Sequence, residues 1–240
     1  MKHRHLWKIA IAAALLSACG TPPGQPQPGA AAPAPNEVSD FRFLYRENCA
    51  ACHGLEGRGG AAIALANPVY LAIVDEGSMR KAIAQGVRGT SMPAFAASAG
   101  GTLTDGQIDI IVTAVRSRWS RPGLLDGANP PSYAAKSPGD AVHGQAVYRT
   151  YCESCHGPDG AGGPKGSAIT NDSYLALVSD QGLRTVTIVG RPELGAPDWR
   201  GYLPGKPVSD REVTDVVAWL ASHRTQTPGQ PYSAVNLPQH

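Results

Sequence analysis

The amino-acid sequence predicts an all-α protein made of two similar helical domains. Landmark residues recur at a spacing of about 104: Tyr45 corresponds to Tyr148, and Gly86 corresponds to Gly190. A fixed period over many landmarks indicates a duplicated unit. Apolar residues at helical spacing recur at the end of each unit, and no segment alternates as a half-buried strand would. Aromatic residues make up only 6% of the chain, so we expect something besides side chains to help fill each core.

The repeat and its flanking segments divide the chain into six parts. Turn-forming runs such as Asn129-Pro130-Pro131 lie between the two units and predict a linker. The expected parts are a signal peptide at 1–18, a Pro/Gly/Ala-rich tether at 19–36, a first domain at 37–120, the linker at 121–137, a second domain at 138–224 and a Pro-rich tail at 225–240.

The N-terminus has the features of an export signal. The first eight residues carry three basic side chains and no acidic one, and the apolar run at 9–16 follows. This run is too short to span a bilayer and is typical of a signal peptide. It ends in Leu16-Ser17-Ala18-Cys19-Gly20, which resembles the lipobox of bacterial lipoproteins. The resemblance implies that Cys19 is lipidated, and an ordinary secretory peptide with an incidental cysteine is the alternative.

The expected location is the bacterial cell envelope, where the lipid on Cys19 would anchor the chain facing the periplasm. Gly20 after Cys19 favours the outer membrane in a cell that has two. The following segment is rich in Pro, Gly, Ala and Gln, which predicts a semi-extended tether. Removal of the basic signal peptide leaves a chain close to neutral. Because no basic patch remains, nucleic acid is excluded as a partner.

Four of the five cysteines form two C-x-x-C-H motifs, at 49–53 and 152–156. This motif is the attachment signature of c-type haem. Two thiols three positions apart on a helical turn can reach both haem vinyl groups, and the next residue lies under the iron. A disulfide, a redox pair or zinc is the alternative for one copy, but two copies in an exported chain favour haem. We therefore predict two covalent haem c groups, with the thiols of Cys49, Cys52, Cys152 and Cys155 as attachment points and His53 and His156 as iron ligands.

Both domains are expected to contain the same elements in the same order. Each begins with a short helix whose apolar residues are Phe41, Leu44, Tyr45 and Val142, Ala146, Val147. Each ends with a helix that starts at a capping box, formed by Thr104 with Gln107 and by Ser209 with Glu212. One-sided apolar stripes follow these boxes and predict core faces: Ile108, Ile111, Val112, Val115, and Val213, Val216, Val217, Leu220.

This order of elements resembles the class I c-type cytochrome fold, present twice over about residues 37–224. The shared features are a helix, C-x-x-C-H-G, a Gly-rich loop, a middle helix, a Met-Pro-x-aromatic loop and a final helix. The resemblance implies that each domain is a few helices around a covalent haem c. It also implies electron transfer in the periplasm or on an outer surface.

A methionine ligand opposite the histidine is expected in one domain only. The resemblance implies that Met92, in the loop 89–95, is this ligand in the first domain, and a thioether raises the reduction potential of haem iron. In the second domain Ala196 stands at the corresponding position, and no methionine follows it. The second iron is therefore open, water-bound or coordinated by a nitrogen, for which the candidates are His143, Lys165, Lys206, His223 and His240.

The sequence favours an electron-transfer protein over an enzyme. We expect a membrane-anchored dihaem cytochrome that carries electrons between redox proteins, alone or as a subunit of a respiratory complex, with no catalytic side chain. The alternative is a peroxidase-like enzyme or a gas-binding protein that uses the second haem. Peroxide cleavage requires a placed acid or base, and Glu193 and Asp198 are the acids nearest to Ala196 in sequence.

Overall fold

The computed structural model describes residues 33–225. The predicted signal peptide, Cys19, most of the tether and nearly all of the tail at 225–240 lie outside the described residues. The chain divides into two compact units, the first ending at Glu37 and the second beginning at Val38. The described part of the first unit contains one 3-10 turn, Pro35–Glu37. Both repeats belong to the second unit.

The first repeat contains five α-helices within the described residues. A 3-10 turn, Ala97–Ala99, lies before the last of them. The helices are α1 (Phe41–Asn48), α2 (Ala50–His53), α3 (Pro68–Ile73), α4 (Glu76–Gln85) and α5 (Asp105–Trp119).

The second repeat has the same helices in the same order. Two 3-10 turns, Pro158–Gly160 and Pro192–Leu194, lie in its loops. Its helices are α6 (Ala141–Tyr151), α7 (Glu153–His156), α8 (Asp172–Leu177), α9 (Asp180–Val189) and α10 (Asp210–Ser222).

The predicted all-α class is confirmed over residues 33–225. Besides the helices, this range contains only two isolated bridges, Ala96 with Leu103 and Arg191 with Ala196. The predicted middle helix is two short helices in each repeat. Asp75 and Ser179 accept backbone N–H bonds and begin α4 and α9, because a side-chain acceptor at this position favours a new helix start. No helix among the described residues is long and apolar enough to cross a membrane.

Both predicted capping boxes are present. The hydroxyl groups of Thr104 and Ser209 accept the backbone N–H groups of Gln107 and Glu212, whose side chains accept in return. These bonds satisfy N–H groups that have no partner inside the helix. The apolar stripes behind the boxes are buried, so the last helix of each repeat is fixed at its start and along its core face.

The first and last helices of each repeat pack on each other through a tyrosine and a tryptophan ring, and the second repeat adds a close backbone approach. In the first repeat, the rings of Phe41 and Tyr45 meet the ring of Trp119 at centroid distances of 6.2 and 5.5 Å. In the second repeat, Gly144 lies so close to α10 that a Cβ atom there would be 2.0 Å from the Asp215 carbonyl oxygen. The two repeats therefore share a topology, while their helix contacts differ.

Candidate functional site

Each C-x-x-C-H motif lies on a single helical turn after a bend in the chain. Cys49 and Cys152 end α1 and α6 with nearly the same backbone angles, φ −122° and −118°. Their carbonyl groups accept the N–H groups of His53 and His156 at 2.9 and 3.0 Å. The two cysteines and the histidine of each motif thus share one helical turn. The sequence interval alone determines this arrangement, because it matches one helical turn.

The four motif cysteines are free thiols. No group of three or more potential ligands that could hold a metal ion occurs among the described residues. Burial raises the pKa of Cys49 to about 11 and that of Cys152 to about 12. A redox-active C-x-x-C motif needs a lowered thiol pKa. The disulfide, redox and zinc alternatives therefore find no support in this geometry, whereas thioether attachment fits it.

The two motif histidines are oriented in the same way. Nδ1 of His53 lies 2.8 Å from the Ile63 carbonyl oxygen, and Nδ1 of His156 lies 2.8 Å from the Ser167 carbonyl oxygen. A carbonyl oxygen can only accept, so Nδ1 carries the proton and the Nε2 lone pair is left for a metal. Burial also lowers the pKa of His53, which favours the neutral ring that iron requires.

A glycine and a tyrosine fix the loop behind each histidine. Gly54 and Gly157 have φ values of 81° and 75°, which favour glycine, and both accept a hydrogen bond from a tyrosine hydroxyl. The donors are Tyr45 and Tyr148, the landmark pair of the sequence repeat. These tyrosines tie the first helix of each repeat to the backbone that carries the histidine.

The loop of Met92 and the loop of Ala196 have the same backbone arrangement. The N–H group of Val87 donates to the Met92 carbonyl at 3.0 Å, and the N–H group of Arg191 donates to the Ala196 carbonyl at 3.0 Å. Both loops follow a glycine with φ near 68°. Ala196 therefore occupies the position of Met92, and the second repeat has a methyl group where the first has a thioether.

The family model described as cytochrome C oxidase, cbb3-type, subunit III matches residues 36–113 and 139–220. The chain belongs to this family. It is a class I c-type cytochrome with two tandem domains, and proteins of this kind bind haem c covalently through thiols such as those described above.

Individual relatives resemble parts of this cytochrome. The Cbb3-type cytochrome c oxidase subunit CcoP of Azospirillum sp. (strain B510) is 33% identical over 132 residues, which cover 50% of this chain and 40% of that protein. This cytochrome thus corresponds to about two fifths of that relative's length.

Two solved structures are also similar. The dihydro-heme d1 dehydrogenase NirN in complex with DHE shares 29% identity over 43% of this chain and 18% of its own, with a TM-score of 0.28. A chain of the Kuenenia stuttgartiensis reducing HAO-like protein complex shares 18% identity over 80% of this chain and 99% of its own, with a TM-score of 0.42.

Three of the candidate nitrogen ligands in the second repeat of the cytochrome have structural partners. Nδ1 of His143 lies 2.7 Å from a carboxylate oxygen of the buried Asp215. Nζ of Lys206 lies 5.3 Å from the ring centroid of Tyr151. Nδ1 of His223 lies 2.9 Å from the Trp219 carbonyl oxygen. Of the remaining candidates, Lys165 is exposed and His240 lies outside the described residues.

The two acids near Ala196 are each paired with an arginine. Asp198 accepts two hydrogen bonds from the guanidinium group of Arg200. Glu193 pairs with Arg191. Burial alone would raise the pKa of Glu193, but its hydrogen bond with Arg191, a backbone hydrogen bond and the charge of Arg191 together outweigh this and lower the pKa. A general acid at neutral pH needs a raised carboxyl pKa, so Glu193 does not have the arrangement of a proton donor to peroxide, and the Asp198 carboxylate is engaged by Arg200.

Sequence reasoning did not identify Tyr202. Its hydroxyl group donates to the Thr187 carbonyl at 3.0 Å. Burial and the nearby Cys152 raise the pKa of Tyr202, so this ring lies beside the second C-x-x-C-H motif. The sequence does contain a signal for Tyr202, because the corresponding segment of the first repeat, between Ala96 and Leu103, has no aromatic residue.

Proposed function

We propose that this cytochrome carries electrons in the cell envelope through two covalent haem c groups, one in each repeat. The duplicated donor set carries this proposal: each motif combines two free thiols on one turn with a histidine whose Nδ1 is bound to a carbonyl oxygen. A bound haem supplies an iron that accepts and releases one electron. The protein supplies the attachment points, the axial ligands and the burial.

The proposed assignment of residues follows the repeat. Cys49 and Cys52 would attach the first haem, and His53 and Met92 would ligate its iron. Cys152 and Cys155 would attach the second haem in the same way, and His156 would ligate its iron. The proposed domains are 37–120 and 138–224, with 121–137 as the segment that connects them.

The two sites are expected to differ in potential and in access. His53 is 6% exposed, whereas His156 is only partly buried. A thioether ligand raises the reduction potential of haem iron, and Ala196 cannot supply one. We therefore expect the first iron to be low-spin with the higher potential. The second iron is expected to be open or water-bound, with the lower potential, so electrons move from the second repeat to the first.

The proposed partners are redox proteins of a respiratory chain, with this cytochrome acting as a subunit of a cbb3-type oxidase or as a carrier to it. The family match and the similarity to a CcoP subunit support this assignment. The lipobox-like sequence ending at Cys19 supports a lipid anchor that keeps the two domains at a membrane surface facing the periplasm. The pairing of Glu193 and Asp198 with arginines argues against the peroxidase alternative.

The decisive experiment counts the haem groups of the purified chain. The pyridine haemochrome should give about two per polypeptide, as the two motifs predict, and the haem should stay with the polypeptide on a denaturing gel. Cys52→Ser and Cys155→Ser should each weaken attachment at one site and leave the other normal. A wild-type chain with one haem or none would contradict the proposal. Rapid peroxide turnover with an electron donor would instead favour the enzyme.

A further inference from the structure

A buried hydrogen bond joins the two repeats. Nδ2 of Asn67 donates to the Val189 carbonyl at the end of α9, at 3.1 Å. The same side chain begins α3, because its Oδ1 atom accepts the N–H groups of Val69 and Tyr70. Asn67 is 7% exposed. One amide therefore caps a helix of the first repeat with its oxygen and holds the second repeat with its nitrogen.

A second hydrogen bond joins the loops beside the two proposed haem groups. The guanidinium group of Arg191 donates to the Gly60 carbonyl at 3.1 Å. Gly60 packs on the first motif, since a Cβ atom there would lie 2.1 Å from the Cys52 carbonyl oxygen. The backbone of Arg191 is bonded to Ala196, in the loop that corresponds to the Met92 loop of the first repeat. This one residue thus connects the first motif to the Ala196 loop of the second repeat.

The connecting segment reinforces the same contact. The ring of Tyr133 lies 6.4 Å from the ring of Tyr70 in the first repeat. Its carbonyl accepts from Gln181 at 2.8 Å and from the buried Arg184 at 3.1 Å in the second repeat. The segment between the repeats is therefore bound to both of them.

The two capping asparagines have different neighbours in the sequence. Pro68 and Val69 follow Asn67 in α3, whereas the exposed Asp172 and Ser173 follow Asn171 in α8. Asn171 caps α8 as Asn67 caps α3, but it is exposed and contacts no other element through a hydrogen bond in the described part of the chain. The interface is thus specific to one face of the first repeat.

We infer that Asn67 and Arg191 are positioning residues for electron transfer between the two haem groups. This inference rests on the proposed function. Domains of one chain move relative to each other unless an interface holds them, and the rate of electron transfer falls steeply with separation. The two hydrogen bonds fix the loops that flank both haem groups. With both haem groups bound, these contacts would hold the two attachment sites at a constant separation while one electron passes from ferrous iron in the second repeat to ferric iron in the first.

Two substitutions remove the contacts and leave the haem ligands in place. Asn67→Asp keeps an oxygen that caps α3, because Asp is as good an N-cap as Asn, and it removes the amide donor. Arg191→Val introduces the residue that the first repeat has at this position, Val87. Asn171→Asp is the control, since it makes the same change at the corresponding cap, which has no hydrogen bond to another element within residues 33–225. Arg191→Lys retains the charge and a donor and should restore the wild-type behaviour.

The test measures electron transfer between the haem groups after rapid reduction of one of them, together with the haem content, the optical spectrum and both reduction potentials. We expect the double variant Asn67→Asp/Arg191→Val to transfer electrons more slowly, because losing two hydrogen bonds of ordinary net strength raises the ratio of separated to docked repeats by about tenfold or more. The spectra should stay unchanged, the rates are compared at the potentials measured for each variant, and both controls should match the wild-type rate.

An unchanged transfer rate in the double variant would overturn the inference, even if thermal stability falls. If the double variant does not fold, Arg191→Val alone decides the question, with a smaller decrease expected and no decrease overturning it. The haem count separates the two levels: a wild-type chain with fewer than two haem groups contradicts the proposed function, whereas two haem groups with an unaltered rate contradict only the positioning role.

Discussion

Asp215 is a buried carboxylate with three donors around it. Its side chain is 1% exposed, and it accepts from the Asp140 backbone, from His143 and from Arg211 at 2.7 to 2.9 Å. Burial alone would raise the pKa of Asp215, but these donors outweigh it and lower the pKa. The charge therefore joins the start of α6 to α10. The first repeat has Ile110 at this position and no such centre.

Replacing Asp215 by Ala should destabilise the protein by about 3 kcal/mol, since removing one partner leaves buried donors without an acceptor. Denaturant unfolding of the haem-loaded protein measures this loss. Asp105→Ala, which removes a largely exposed partner of Arg80, should cost less than about 1 kcal/mol. Equal losses in the two variants would contradict this role of Asp215.

The lowered pKa of Asp215 also predicts a dependence of stability on pH. In the unfolded chain the Asp215 carboxyl group takes up a proton at a higher pH than in the folded protein. Its charged form therefore stabilises the folded state fully at pH values above the ordinary pKa of an aspartate. The contribution should decrease as the pH falls below about 4 and through the lowered pKa of the folded state. Wild-type protein should lose more stability than Asp215→Ala between pH 5 and pH 3, as thermal unfolding at each pH can show.

The difference between Met92 and Ala196 predicts which iron binds carbon monoxide. The ferrous wild-type protein should bind it at the second haem only, and Met92→Ala should bind it at both. Ala196→Met should close the second site, because a thioether is a ligand of haem iron. Ala196→Leu is the control, since it adds similar bulk without sulfur. Carbon monoxide difference spectra measure the bound fraction, and two closed sites in the wild type would rule out the asymmetry.

At the scale of elements, the contact between α6 and α10 depends on a glycine. Gly144→Ala would place a Cβ atom 2.0 Å from the Asp215 carbonyl oxygen, so two helix backbones would have to separate. We expect a loss of about 1–3 kcal/mol. Gly106→Ala is the matched control in α5, where a Cβ atom would meet nothing within 4 Å. That control should stabilise the protein by about 0.5–1 kcal/mol in denaturant unfolding.

Local sequence signals predicted these elements well and their contacts poorly. The capping boxes and apolar stripes depend on residues a few positions apart, so the last helix of each repeat was predictable. The proposed haem donors were also predictable, because C-x-x-C-H is a local motif. The tryptophan that packs on each landmark tyrosine was not predictable from the sequence. Trp119 packs on Tyr45 and Trp219 on Tyr148, but the two tryptophans stand at different positions of α5 and α10. The hydrogen bond between Asn67 and Val189 was not predictable either, because the two residues are 122 positions apart.

At the scale of the whole molecule, the sequence motif at Cys19 predicts a lipid anchor. Cells fed labelled palmitate should incorporate the label into the wild-type chain and lose it in Cys19→Ser, because the acyl group requires that thiol. The haem content of the variant should stay normal, since no proposed haem ligand lies in 19–36. If the label persists in the variant, either another residue is acylated or the sequence at 16–20 is not used as a lipobox.

The one-sided contact between the repeats has a consequence for how molecules meet in solution. A contact between unlike faces, if repeated from one molecule to the next, produces open filaments. Here the exposed Asp172 follows the capping Asn171 of the second repeat, where Pro68 follows Asn67 in the first, and Gln85 of the first repeat stands at the position of Val189. A neighbouring molecule that copied the contact between Asn67 and Val189 would have to remove water from the Asp172 carboxylate, which is costly. The duplication thus keeps its internal contact while opposing head-to-tail polymerisation.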